Sequence, residues 1–303
     1  MSRASFPLPQ GFSWQYDLIV WLQSHHAVIL DRMAVACSYL GNESFYFAAL
    51  PVLILAVDRV LGMRLAYVFF TSMYLNAWLK SYYHIARPIG VPGIRSGDVS
   101  SATGLSMPSG HAQGTMTFFT AIALWLRRPV AFLVALLLSL AVGISRVYLG
   151  LHWPMDVVIG WAAGLGVGYF GWQIGRWWTY RGVPFGVSVA LAVLFPAVLL
   201  VFARDVTSSV YAVFLLVGGA GAAIERRFLR TSIDPVLWKR VAAGVIALGG
   251  VVAVQLAVQA HLEEPLWQYV RAAAVATWAT VLAPWLFHVL GLYTREANSH
   301  RDG

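Results

Sequence analysis

Residues 129–149, PVAFLVALLLSLAVGISRVYL, decide the fold. No charged residue occurs in this run before Arg146, close to its end. At 1.5 Å per residue, about 20 apolar residues cross the hydrocarbon of a bilayer as a helix, whereas a barrel strand needs only about 10. Backbone polar groups in lipid must be satisfied internally, so a chain built from such runs is helical. Similar runs lie at about 43–58, 65–82, 110–126 and 155–175, and again at about 184–203, 208–224, 238–258 and 267–290. The composition agrees: of 303 residues, 59% are hydrophobic and only 11% charged, which excludes an ordinary soluble domain. The expected fold is an all-α polytopic membrane protein.

Before the first clear run the pattern is different. Residues 1–12 read as poorly ordered. Residues 13–40 carry Trp14, Tyr16, Trp21 and Leu22 but are interrupted by His25, His26, Asp31 and Arg32. That mixture suits an interfacial amphipathic helix, with a tilted first span as the alternative. No basic stretch leads into a short apolar run and a cleavage site, so no removable signal peptide is expected. The lone cysteine, Cys37, lies in an apolar stretch and reads as packing. The net charge of +8 need not mean nucleic acid, because most cations sit in short connections, where they act as orientation signals.

Against this apolar background stand three polar clusters. Lys80-Ser-Tyr-Tyr-His-Ile-Ala-Arg87-Pro88 closes one span, and Pro108-Ser109-Gly110-His111 opens the next. Ser145 and Arg146 close the run quoted above, and His152 and Asp156 open the one after it. Counting spans therefore puts all three clusters on one membrane face. The opposite face collects Arg59, Arg64, Arg127, Arg128, Arg176, Arg181, Arg226, Arg227, Arg230, Lys239, Arg240, Arg295 and Arg301. Beyond residue 40, the face with the clusters adds only Arg95, Arg204 and Arg271, with Glu263 and Glu264. The positive-inside rule then points the clusters away from the cytoplasm. The segment 89–107, rich in Gly, Pro and Ser, is the longest connection of the first half and reads as a binding loop.

Each cluster alone has a bland reading. Lys80 could snorkel at a span end, Ser109-Gly110 could be a plain helix start, and His152 with Asp156 could be a structural pair. Gathered together they form a functional-site hypothesis, because charges near apolar spans are costly. Lys80 and Arg87 share a helix face if the helix continues, and Pro88 ends it. Arginine offers phosphate oxygens a planar fork and lysine a point charge. Free N–H groups at the helix start after Ser109 suit an anion. A carboxylate four residues from His152 can fix one imidazole nitrogen and leave the other as nucleophile. His84 reads as interfacial polarity. No HExxH, P-loop or Cys/His zinc pattern is present, so neither a metal nor another cofactor is called for.

Together the clusters resemble the signature of the type 2 phosphatidic acid phosphatase (PAP2) superfamily: K-x6-RP, PSGH, then SR-x5-H-x3-D. Lys80, Arg87, Pro88, Pro108, Ser109, Gly110, His111, Ser145, Arg146, His152 and Asp156 match it in order and spacing. The resemblance covers about residues 40–175 and implies a helical-bundle core followed by about four additional C-terminal transmembrane helices. It implies His152 as nucleophile forming a phosphohistidine, Asp156 as its orienting partner, and His111 as the acid that protonates the leaving group and then activates water. Lys80, Arg87, Ser109, Gly110 and Arg146 would hold the phosphoryl oxygens. The division expected is 1–40 as an interfacial segment, 41–178 as the catalytic core, and 179–303 as further transmembrane helices of unassigned role with a short cytoplasmic tail.

The function implied is a metal-independent membrane lipid phosphatase acting on a polyprenyl pyrophosphate, phosphatidate, phosphatidylglycerophosphate or similar lipid. A phosphotransferase with the same histidine chemistry and a lipid transporter with a phosphatase-like site are the alternatives. The context Leu105-Ser-Met-Pro-Ser-Gly-His-Ala-Gln113 resembles bacterial members, which implies the bacterial inner membrane with the site on the periplasmic face. Partners expected are the lipid substrate and membrane lipids, with a homodimer possible and no nucleic acid.

Overall fold

A computed structural model describes residues 11–295. The expectations for residues 1–10 and for the tail beyond 295 lie outside the described residues. Helices occupy Ser13–Ser24 (α1), Val28–Tyr39 (α2), Glu43–Val52 (α3), Arg59–Tyr83 (α4), Gly110–Leu126 (α5), Pro129–Tyr148 (α6) and Pro154–Tyr180 (α7). They continue at Phe185–Phe202 (α8), Val206–Ile224 (α9), Leu237–Val258 (α10), Pro265–Thr277 (α11) and Ala283–Val289 (α12). A short antiparallel ribbon pairs Thr231–Ile233 (β1) with Tyr293–Arg295 (β2), with Ser232 opposite Thr294. The protein is an all-α polytopic membrane protein.

Among the described residues, six stretches are long and apolar enough to cross a membrane, beginning with α6 and α7 and including four in the C-terminal part. Helix α4 carries Arg59, Arg64 and Lys80 and is less apolar, while α5 has 17 residues. A further span of adequate length arises only if α2 is joined to the stretch 43–57, the two being broken at residues 40–42. The expected run 43–58 is thus not one regular helix. It contains Pro51, and its last turn, Leu53–Val57, is π-helical. Proline removes a backbone donor and clashes with the preceding turn, which accounts for the irregularity.

The chain divides into two compact units. Of the described residues, the first comprises 11–45 and 72–174. Here the segment 13–40 forms two helices, with polar side chains buried for a reason. Gln23 is buried on α1 and donates to the carbonyls of Arg95 (2.7 Å) and Tyr148 (2.8 Å), and Gln15 accepts from Met155 N–H at 3.0 Å. Ile19 is fully buried beside Ile94, Val147 and Trp153, while Trp14 and Trp21 remain exposed. Helix α1 is thus two-sided, with Trp14 and Trp21 outward and an inner face that belongs to a protein core.

Helix α5 lies close against α7 because α7 presents glycine every fourth residue. A Cβ at Gly160 would fall 2.8 Å from Ser109 O, and one at Gly164 would fall 2.5 Å from Gln113 O. Small residues at this spacing let helix backbones approach in membranes. Behind the contact runs a buried polar chain. Asn76 donates to Gln113 Oε1 (2.8 Å), Gln113 donates to Ser72 O (2.7 Å), and Ser72 Oγ meets Thr117 Oγ1 at 2.8 Å. Every member has a partner, as low-dielectric surroundings require.

Of the described residues, the second unit comprises 46–71 and 175–295. Its α9 starts with a capping box, in which Asp205 accepts from Ser208 N–H at 2.7 Å and Ser208 returns a hydroxyl contact. Arg59 pairs with the buried Glu225 and donates to Thr231 O at 2.9 Å. Glu225 also accepts from Thr231 N–H and Oγ1–H. Arg240 donates to Ala56 O (2.8 Å) and Tyr293 Oη–H to Leu55 O, so the carbonyls left by the π turn are satisfied.

Candidate active site

Four helix ends in the first unit carry the three clusters. Lys80 lies in the last turn of α4, His111 in the first turn of α5, Arg146 in the last turn of α6, and Asp156 in the first turn of α7. All eight expected site residues converge there. Arg87 follows α4 in the loop, and His152 sits just before α7. His84 does not join them. It has φ 52°, is exposed, and its Nδ1 lies 3.2 Å from Tyr82 O.

His152 is the most constrained member. It is 1% exposed, and Nδ1 is 3.3 Å from Asp156 Oδ2. That carboxylate oxygen also accepts from Trp153 N–H at 2.8 Å and from Ser106 Oγ–H. An Nδ1–H directed to Asp156 leaves the Nε2 lone pair as the reactive atom. Arg87 Nη1 donates to that atom at 2.7 Å. Burial, then the neighbouring Arg87, Lys80 and Arg146 cations, hold the His152 imidazole well below the ordinary value of 6.5, so it is neutral. Burial also pushes the Arg87 guanidinium down to about 10, with Asp156 opposing the shift, and it remains a cation at neutral pH.

The three cations are all hydrogen-bonded to one loop, the segment 89–107. Lys80 Nζ donates to Leu105 O, and Arg87 donates to Thr103 O (2.7 Å) and Gly104 O (2.9 Å). Arg146, fully buried, donates to Ser101 Oγ (2.8 Å) and to Ser38 Oγ on α2 (2.6 Å), while its Nε lacks a partner. Ser109 is the N-cap of α5. Its Oγ accepts from Ala112 N–H at 3.4 Å, and its own N–H donates to Asp156 O at 2.9 Å. Gly110 opens the helix with Asn76 Oδ1 close by. His111 Nε2 is 2.7 Å from Asn42 Oδ1.

Sequence reading missed Ser106, Ser38, Ser101 and Asn42. Ser106 stands two residues before Pro108, and its neighbourhood to the signature was its only signal. The other three are brought in by tertiary packing alone. Among the described residues, no group of three or more His, Cys, Asp or Glu is placed to hold a metal ion.

A helical membrane bundle that gathers these polar helix ends at one site belongs to a class that known proteins define. The chain belongs to the PAP2 superfamily: the model of that superfamily matches residues 61–180, and the PAP2 superfamily phosphatase transmembrane extension matches residues 209–295. It is a phosphatase-family enzyme. Phosphatidylglycerophosphatase B of Bacillus subtilis is 29% identical over 45% of this chain and 70% of its own length. Undecaprenyl-diphosphatase of Sulfolobus acidocaldarius is 25% identical over 54% and 80% respectively. Sphingosine-1-phosphate phosphatase 1 of Rattus norvegicus is 34% identical, over 40% of this chain and 29% of its own. Among solved structures, the transmembrane PAP2-type phosphatidylglycerolphosphate phosphatase of Bacillus subtilis aligns at TM-score 0.46 and 23% identity, over 54% of this chain and 85% of that one.

Proposed function

We propose that the protein hydrolyses a lipid phosphate or pyrophosphate without a metal ion, through a phosphohistidine on His152. The observation that carries this reading is the line from Asp156 Oδ2 through His152 Nδ1 to the Nε2 lone pair, with Arg87 at its far end. In the first step Nε2 attacks phosphorus and the bond to the leaving oxygen breaks, while His111 supplies that oxygen with a proton. Arg87 Nη1 moves from Nε2 to a phosphoryl oxygen as the substrate enters. In the second step His111 takes a proton from water, the water oxygen attacks phosphorus, the P–N bond breaks and phosphate leaves. Lys80, Arg87 and Arg146, with the Ser109 hydroxyl and the Gly110 N–H, balance the charge on the equatorial oxygens. Asp156 keeps the nucleophile in one tautomer throughout.

The substrate class is supported by the relatives, whose names specify phosphatidylglycerophosphate, undecaprenyl diphosphate and sphingosine 1-phosphate. The outward, periplasmic orientation is supported by the cationic loops at the ends of the helices opposite the site. Residues 41–178 would form the catalytic core and 179–303 the appended membrane helices.

The test is phosphate release by the detergent-purified protein from phosphatidate, phosphatidylglycerophosphate, sphingosine phosphate and undecaprenyl pyrophosphate, with EDTA present and His152→Ala in parallel. EDTA-resistant release that disappears in the variant is the expected result and ranks the substrates. Release that needs an added acceptor lipid would replace the hydrolase by a transferase.

A further inference from the structure

The polar break between α2 and α3 delivers one side chain to the site. Leu40, Gly41 and Asn42 interrupt what would otherwise be a single apolar stretch of spanning length. Irregular backbone at such a place is tolerated where it is buried in protein or lines a cavity, so the break itself calls for an explanation. Two contacts supply it. Asn42 Oδ1 lies 2.7 Å from His111 Nε2. Gly41 packs closely against the same side chain: a Cβ there would fall 2.7 Å from His111 Cδ2, 2.8 Å from Cβ and 2.9 Å from Cγ. One residue of the break thus packs against the His111 side chain and the next meets its Nε2.

We infer that Asn42 is a positioning residue for His111: its amide oxygen accepts the Nε2–H and commits the Nδ1 atom to proton exchange with the leaving group and with water. This rests on the reading of His111 as acid and base. The arrangement parallels that of Asp156 and His152, but with a neutral acceptor. The difference suits the two roles. A carboxylate would stabilise the imidazolium and weaken His111 as an acid, whereas an amide fixes the ring without adding a charge. The titratable groups around His111 are Lys80 from α4, Arg87 from the loop, Arg146 from α6, and His152. Glu43, beside Asn42 in the chain, begins α3. Among the groups around the ring, the acceptor on Nε2 is the one whose charge a single isosteric change can alter.

The experiment compares Asn42→Ala, Asn42→Asp and Gly41→Ala with the full-length wild type in detergent. Two substrates are used: a lipid phosphate, whose alkoxide must be protonated as it leaves, and p-nitrophenyl phosphate, whose phenolate need not be. Because kcat/KM reports the steps through P–O cleavage, Asn42→Ala is expected to lose about 10²-fold on the lipid, in the range of a lost general acid, and at most about threefold on the aryl ester. Gly41→Ala, which pushes on the ring, should show the same split. Asn42→Asp should recover most of the lost rate and move the basic limb of the profile to higher pH, because a carboxylate beside the imidazolium raises its pKa. Equal losses on both substrates, or a basic limb unmoved in Asn42→Asp, would reduce Asn42 to a packing role and overturn the inference. The ring-nitrogen NMR shifts of histidine-labelled protein, with the His111 signal assigned by its loss in His111→Gln, give a readout independent of turnover. Neutral His111 is expected as the Nε2–H tautomer in wild type and as a mixture in Asn42→Ala. An Nδ1–H tautomer in wild type would refute the contact even if the protein released no phosphate from any lipid, a failure that would instead fall on the proposed function.

Discussion

Arg87 Nη1 sits 2.7 Å from His152 Nε2, so a guanidinium donor rests on the lone pair of the proposed nucleophile. The same guanidinium reaches Thr103 O, Gly104 O and Leu151 O, using the planar fork in several directions at once. Lysine cannot reproduce that geometry. Arg87→Lys is therefore expected to lower kcat/KM by about 10² despite conserving the charge, in the range found for removing one transition-state donor. Steady-state phosphate release measures this directly. Retention of more than half of the activity would show that only the positive charge matters.

The pH profile follows from the neutral His152. Burial and three nearby cations depress its proton affinity, so the acid limb of kcat/KM should lie below pH 6.5. Stability follows the same sign. The unfolded chain takes up the proton near 6.5 and the folded chain only at lower pH, so His152 contributes stability that is fully present above 6.5 and is lost as pH falls toward the folded value. His152→Gln should flatten that part of the melting-temperature profile between pH 7 and pH 5. An acid limb above 6.5 would mean that the resting imidazole is charged.

Ser106 is fully buried and donates to Asp156 Oδ2, the oxygen that also faces His152 Nδ1. Removing this donor leaves the carboxylate freer to rotate without altering any group expected to touch phosphate. Ser106→Ala should reduce kcat by about tenfold, equivalent to about 1.4 kcal/mol, with KM little changed. A change confined to KM would place Ser106 in substrate binding instead.

The glycine row of α7 sets the distance between the helix bearing Ser109 and His111 and the helix bearing Asp156. Gly164→Leu puts a branched side chain where even a Cβ would lie 2.5 Å from Gln113 O. Overpacking of this kind destabilises by about 1–3 kcal/mol. Thermal unfolding in detergent should drop by several degrees, and phosphate release should fall with it as Ser109 N–H separates from Asp156 O. An unchanged melting temperature would show that the helices separate freely at this point.

Much of this was legible beforehand because it lies in local pattern. Lys80, His111, Arg146 and Asp156 mark helix ends, and apolar runs fix where those ends meet. His152 and Asp156 are four residues apart, so their pairing needed no tertiary knowledge. Asn42 and His111 are 69 positions apart, and no spacing rule links them. Arg59 and Glu225 are farther apart still; the sequence presents Arg59 as one more loop cation, whereas it is tied into the ribbon through Thr231. Residues 13–40 looked interfacial because tryptophans and charges alternate there, and periodicity does not reveal that Gln15 and Gln23 face inward to satisfy loop and helix-end groups.

The loop that holds Lys80, Arg87 and Arg146 through its carbonyls also bears on how the enzyme lets go. Those oxygens are neutral dipoles already bonded to the cations that are proposed to hold an anion. On the proposed reaction, an incoming phosphoryl group would displace them, and they would compete with the departing phosphate. A small anion without a hydrocarbon tail therefore meets a resident competitor at each cation, whereas a lipid brings the membrane anchorage to outlast it. On that reading, free phosphate would be a weak inhibitor of its own release.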